Sequence, residues 1–173
     1  MTVSLIVGAL RSLAETTSDP AQILAGLNRR LYGRLHQGFA TCLVLRLDPT
    51  GACTLSNAGH LPPFLNGQEL ALPGALPLGL SPIAAYEETT VRLAPNDRLT
   101  LYTDGLVEAR NASGELYGFT RLTQLIATKP DATQAAEAAV AFGQDDDVTV
   151  LTLTRDPVPF RAQEPKAIPA PAN

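Results

Sequence analysis

The order of hydrophobic patterns predicts an α+β fold with antiparallel sheet. Three observations carry that reading. Two helix-like segments open the chain, a run of short strands with little helix between them follows, and two helices precede a closing strand. Grouped helices and grouped strands indicate segregated α and β regions rather than alternating βαβ units. With 173 residues, 45% hydrophobic and 17% charged, the chain fits a soluble globular domain.

The first helix is expected over Met1 to Ala14, where Val3, Ile6, Val7, Leu10 and Leu13 keep helical spacing. This stretch lacks a basic lead-in, since Arg11 follows the apolar run, so it does not read as a signal peptide. It is also too short to span a bilayer. The second helix is placed at Pro20 to His36, with Asp19 and Gln22 at capping-box spacing and Pro20 in the first turn. Its apolar face is Ile23, Leu24, Leu27, Leu31 and Leu35, and Gly38 is expected to end it. Arg29, Arg30 and Arg34 fall largely on its polar face, as a solvated surface or a contact for a regulator domain. His36 would sit at its C-terminus, a dipole-favoured surface position.

Phe39 to Leu47 and Ala52 to Ala58 read as a hairpin around Asp48-Pro49-Thr50-Gly51. Pairing Leu47 with Ala52 sets Cys53 opposite Arg46 and Cys42 opposite Asn57. The two sulfurs are then too far apart for a disulfide, and both cysteines are expected as buried free thiols. Pro63 to Leu65 and Glu69 to Leu72 form a second hairpin through Asn66-Gly67, a strong turn signal. Pro73 to Pro82 is an apolar loop rich in Pro and Gly. Strands are expected again at Glu87 to Leu93 and Arg98 to Thr103, then helices at Thr120 to Thr128 and Asp131 to Phe142, and a strand at Val148 to Thr154. The domain is assigned to residues 1–155. Residues 156–173, with five prolines, read as a disordered tail.

Thirteen basic and seventeen acidic side chains leave a net charge of −4. That balance offers no footprint for nucleic acid or an anionic membrane. No Walker loop, GxGxxG, CxxC or GxSxG motif occurs, which removes the usual nucleotide, redox and serine-hydrolase readings. The informative residues are acidic. Asp104 ends one expected strand, and Asp145-Asp146-Asp147 precedes another. If those strands are antiparallel neighbours, both acidic sites meet at one edge of the sheet, where clustered carboxylates favour a hard cation such as Mg²⁺ or Mn²⁺. Gly105 would permit a sharp turn there. The plainer alternative is an Asp-Gly turn and a solvated acidic loop. His60 has two readings, a general acid or a hydrogen-bonding residue of its loop. Glu108 and Arg110 read as a local charge pair, with substrate contact as the second reading.

The segment Tyr102-Thr103-Asp104-Gly105-Leu106-Val107-Glu108-Ala109-Arg110-Asn111, followed by Gly114-Glu115 and Tyr117-Gly118, resembles a motif of SpoIIE/RsbU-type phosphatases. These are the bacterial branch of the metal-dependent PPM phosphatases, related to protein phosphatase 2C. Phe39-Ala40-Thr41, Asn57-Ala58-Gly59-His60-Leu61-Pro62-Pro63, Leu76-Pro77-Leu78-Gly79-Leu80 and Asp146-Asp147-Val148-Thr149-Val150 match further motifs in order. The resemblance implies an αββα sandwich of two antiparallel sheets flanked by helix pairs. It implies hydrolysis of phosphoserine or phosphothreonine on a regulator protein, such as an anti-anti-sigma factor, by water activated at two Mn²⁺ or Mg²⁺ ions. Carried over, Asp104 and Asp146 are the catalytic metal ligands, and Asp147 is the reserve ligand. The resemblance also implies an earlier segment with two further Asp-containing motifs. Met1 falls where that segment would end, so the domain is expected to be N-terminally truncated and its activity impaired. The alternative is a phosphatase-like binding module without turnover in a partner-switching system. A cytoplasmic protein without membrane insertion, compatible with homodimerisation, completes the expectation.

Overall fold

The computed structural model describes residues 2–35, 38–144 and 146–157. His36, Asp145 and the Pro-rich tail from Val158 onward lie outside them. The chain order is α1 (Thr2–Ala14), α2 (Pro20–Leu31), β1 (Cys42–Leu47), β2 (Ala52–Ala58), β3 (Phe64–Leu65), β4 (Gln68–Glu69), β5 (Glu88–Arg92), β6 (Arg98–Tyr102), α3 (Gly105–Glu108), α4 (Gly118–Ala127), α5 (Ala132–Phe142) and β7 (Val150–Thr154).

Two antiparallel sheets result, one ordered β1-β2-β5 and the other β4-β3-β6-β7. Strand alternation explains why they stack. Leu43, Leu45, Cys53, Leu55 and Val91 of the first sheet pack with Leu65, Leu99, Leu101 and Leu153 of the second. The opposite face of the first sheet, through Cys42, Val44 and Ala58, meets Ile23, Leu24, Leu27 and Leu31 of α2 and Leu13 of α1. The opposite face of the second, through Phe64, Tyr102 and Val150, meets Leu106, Leu122, Ile126, Ala135 and Ala139. The layers are therefore helices, sheet, sheet, helices, as the resemblance implied.

Asp19 caps α2 by accepting from the Ala21 and Gln22 amides. A hydrogen bond with Glu88 holds the Asp19 carboxyl below its ordinary range, with the amide bonds acting in the same direction. A lowered carboxyl stabilises the fold above the unfolded pKa, and that contribution is lost as pH falls through the folded value. Asp19→Ala is therefore expected to cost about 1 kcal/mol near neutral pH, with the deficit shrinking in acid. Urea melts at two pH values check it.

The second helix ends earlier than its apolar spacing suggests. Tyr32 still donates to the Asn28 carbonyl, but Gly33 at φ +71° turns the chain out of the helix. Leu35 keeps its place in the core from outside the helix, lying against Gly79. Within α2, buried Asn28 accepts from the Gly79 amide and donates to the Ser81 carbonyl, each at 2.8 Å. These two bonds fasten the apolar loop to the helix. Arg30 is only half exposed and donates to the Ala9 carbonyl at 3.0 Å, so it ties α2 to α1 instead of lying on a solvated face.

The first hairpin is shifted by one residue from the expected register. Leu47 pairs with Cys53, and Cys42 with Ala58. The Asp48 carboxylate organises the turn, accepting from the Thr50 amide, the Thr50 hydroxyl and the Ala52 amide, and Gly51 takes φ +92°. Both cysteines are free. Burial pushes the Cys42 thiol up to about 11 and raises Cys53 as well. Since the thiolate is the reactive form, neither should be alkylated by iodoacetamide at pH 8 until denaturant is added. Mass spectrometry of the labelled chain reads this directly.

Candidate metal and phosphate site

Two strand pairings build the site. The β6–β7 ladder sets Tyr102 against Val150, and beyond it the Thr103 amide donates to the Thr149 carbonyl at 3.0 Å. The residues after β6 therefore run beside those before β7, as expected from the sequence. The two segments pack tightly at Gly105. A methyl group placed there would lie 2.4 Å from the Asp147 carbonyl oxygen. Only a residue without a side chain lets these two segments pack so closely.

Asp104 is exposed and follows β6 directly. Its Oδ1 accepts from the Gly105 amide at 3.1 Å at the start of the single-turn α3, where Asp-Gly in the sequence predicts only a turn. Asp146 and Asp147 are exposed on the facing segment. Asp146 Oδ1 accepts from the Asp147 amide at 2.7 Å, and the Asp146 carbonyl accepts from Gln144 Nε2 at 3.1 Å. These local bonds use Oδ1 of Asp104 and of Asp146. The Thr103 hydroxyl oxygen accepts from the Thr149 amide at 3.0 Å, a further tie between the two segments. No group of three or more His, Cys, Asp and Glu side chains suited to a metal ion forms among the described residues.

His60 also belongs to this edge, a placement the sequence did not reveal. Its backbone is held by Asn57, which accepts from the His60 amide at 2.9 Å and donates to its carbonyl at 2.8 Å. The ring Nδ1 lies 3.2 Å from the Thr41 hydroxyl. Burial lowers the imidazole pKa, against the opposing pull of the Asp104 charge and a hydrogen bond to the Tyr102 backbone. Pro77 packs over Gly59, and Leu78 pairs with Ala40. Three of the motifs singled out in the sequence thus meet around Gly59 and His60.

Other polar candidates make local contacts. Arg110 donates to the Gly114 carbonyl at 3.4 Å in a tight turn. Arg121 pairs with Glu115 at 2.6 Å and lies over the Phe142 ring. No helix among the described residues is long and apolar enough to cross a membrane.

The same architecture recurs in known proteins. The family model for stage II sporulation protein E (SpoIIE) matches residues 1–156. Phosphoserine phosphatase RsbU of Bacillus subtilis is 31% identical over 122 residues, covering 66% of this chain and 36% of RsbU. The structure of the RsbU and RsbW domains of Rv1364c from Mycobacterium tuberculosis superposes with a TM-score of 0.69 at 25% identity. It covers 89% of this chain and 47% of that one. The SiaA-PP2C domain of Pseudomonas aeruginosa shares the fold, with a TM-score of 0.71 at 24% identity over 88% of this chain and 68% of that one. The chain spans about a third of RsbU and about half of the Rv1364c chain. The family match extends through β7 and includes every element that frames Asp104 and Asp146, so the chain belongs to the SpoIIE family of PPM-type phosphatases.

Proposed function

We propose that this chain contributes to a metal-dependent phosphatase that removes phosphate from phosphoserine or phosphothreonine on a bacterial regulator protein. The observation that carries the proposal is the close packing of Gly105 on Asp147, which sets the end of β6 beside the acidic segment before β7. In this reading Asp104 and Asp146 are the metal ligands and Asp147 is the alternate. All three offer exposed carboxylate oxygens, a donor chemistry suited to Mn²⁺ or Mg²⁺ and ill-suited to softer metals. When bound, such ions would lower the pKa of an attacking water and offset charge on the phosphoryl oxygens. In this reading the protein's own part is to hold the carboxylates close to one another, and the β6–β7 ladder, which ends beside both segments, supports it.

Two or three carboxylates are few for tight binding of hard divalent ions. The activity of these 173 residues alone is therefore proposed to be weak. The substrate class follows from the phosphoserine phosphatase RsbU, and the RsbW domain in the Mycobacterium tuberculosis structure supports a partner-switching setting, with an anti-anti-sigma factor as substrate. A cytoplasmic location fits such a partner.

Metal removal tests the reading. Phosphate release from a phosphoserine protein of the anti-anti-sigma type should require Mn²⁺ or Mg²⁺, stop with EDTA and return when metal is restored. Hydrolysis that persists in EDTA would contradict it. Stable binding of the phosphoprotein without turnover, at any metal concentration, would instead identify a non-catalytic binding module.

A further inference from the structure

β6 closes at Tyr102 and β7 opens at Val150, so Thr103 and Thr149 form the first pair beyond the ladder. In a regular antiparallel ladder a bonded pair exchanges two backbone bonds. Here only one is a backbone bond, from the Thr103 amide to the Thr149 carbonyl at 3.0 Å. The Thr103 carbonyl has already turned into α3, where it accepts from the Leu106 amide at 3.2 Å. The return bond goes to a side chain instead, as the Thr149 amide donates to Thr103 Oγ1 at 3.0 Å. The same hydroxyl lies 3.5 Å from the Asp147 carbonyl and 3.5 Å from the Thr149 carbonyl, so its own proton is directed at the backbone of the facing segment. At the other end of that segment, Gln144 Nε2 donates to the Asp146 carbonyl at 3.1 Å.

We propose that Thr103 is a positioning residue for the acidic segment. Its hydroxyl carries the β6–β7 pairing past the point where β6 turns into α3, and so keeps Asp146 and Asp147 beside Asp104. The position requires a side-chain oxygen because the backbone acceptor is taken up by α3. Valine has nearly the shape and the strand preference of threonine but no acceptor. Serine keeps the acceptor with one methyl fewer. The two substitutions therefore separate the hydroxyl from packing, and the backbone bond from the Thr103 amide to Thr149 is available to both. The effect of Thr103 on metal binding rests on the reading of Asp104 and Asp146 as ligands, whereas its hold on the segment does not.

Two measurements on the full chain test it, one of them without metal. In amide hydrogen exchange by NMR, Thr103→Val should quicken exchange at Thr149 by about tenfold, the effect of losing one ordinary hydrogen bond. The Asp146 and Asp147 amide resonances should move with it. Thr103→Ser should exchange within about twofold of wild type and leave both resonances in place. The second measurement is Mn²⁺ affinity by electron paramagnetic resonance. Thr103→Val should weaken binding by about tenfold and Thr103→Ser by less than about twofold, as expected for a group that orients a ligand. Unchanged Thr149 exchange in Thr103→Val, or a serine variant that behaves like valine, would overturn the proposal. Exchange quickened throughout β6 and β7 would reduce Thr103 to a fold-stabilising residue and overturn it as well. So would full Mn²⁺ affinity in Thr103→Val where Asp146→Asn has lost it. Equal Mn²⁺ binding by Asp146→Asn and wild type, or none by wild type, would sink the metal reading instead. Thr149 exchange and the two aspartate resonances would then decide the positioning role by themselves.

Discussion

Asp104→Asn is expected to abolish Mn²⁺-dependent phosphate release while leaving the fold intact. The two halves of that expectation have separate physical origins. Asparagine keeps an Oδ1 acceptor of the same shape, so the hydrogen bond from the Gly105 amide that starts α3 survives. Asp104 is also exposed, and an exposed substitution that keeps its hydrogen bond shifts stability by no more than about 0.5 kcal/mol. The negative charge, however, is gone. Metal activation of water and phosphoryl oxygen supplies several kcal/mol to the transition state, and losing about 4 kcal/mol corresponds to roughly a thousandfold in rate. Steady-state release of phosphate under saturating Mn²⁺, with a thermal melt of the same sample, checks both halves. Unchanged turnover in a well-folded Asp104→Asn protein would remove Asp104 from the metal site. A loss of turnover that accompanies a large drop in melting temperature would show that its role is structural.

The features legible in the sequence are those set by short-range chemistry. Asn66 and Gly67 adopt φ +53° and +89°, the backbone that an Asn-Gly hairpin turn requires, and Leu65 pairs with Gln68 across it. Asp131 and Gln134 form the reciprocal capping box that their spacing indicates. The convergence of Asp104 with the Asp146–Asp147 segment was legible because each flanks a strand with strong β character. Errors arose where one local rule displaced another. Leu35 continues the apolar rhythm of α2, yet Gly33 has already left the helix, so the rhythm marks burial and not helix. In the first hairpin, the Asp48 carboxylate draws the Ala52 amide into the turn and moves the register by one residue. His60 escaped for a different reason. The pull of the Asp104 charge on its ring comes from packing between segments distant in the chain, which no local pattern carries. The Asn-Ala-Gly-His motif is visible in the sequence, but its neighbours in the fold, Thr41 among them, are not.

Gly105→Ala should damage both stability and metal affinity, and the reason lies in what the added methyl would meet. Its contacts are the Asp147 carbonyl oxygen at 2.4 Å, the Asp147 carbonyl carbon at 3.0 Å and the Val148 amide nitrogen at 3.5 Å. All three belong to backbone, so no side-chain rotation relieves the overlap. The segment leading into β7 must move away from β6, or α3 must shift among the buried Leu106 and Val107 side chains that anchor it. Forced overpacking of this kind costs about 1–3 kcal/mol. For a domain of this size, that lowers the melting temperature by roughly 2–4 °C per kcal/mol. The consequence for the site is more specific. Separation of the two segments pulls Asp146 and Asp147 away from Asp104, so Mn²⁺ affinity should fall by about tenfold or more, comparable to loss of a group that orients a ligand. Gly74→Ala provides the control, because a methyl there meets nothing within 4 Å and should change neither property. If Gly105→Ala matched Gly74→Ala in both melting temperature and Mn²⁺ affinity, the close approach of these strands could not be what assembles the site. A Gly105→Ala protein that loses stability but keeps full Mn²⁺ affinity would place the metal ligands elsewhere than on the two segments Gly105 joins.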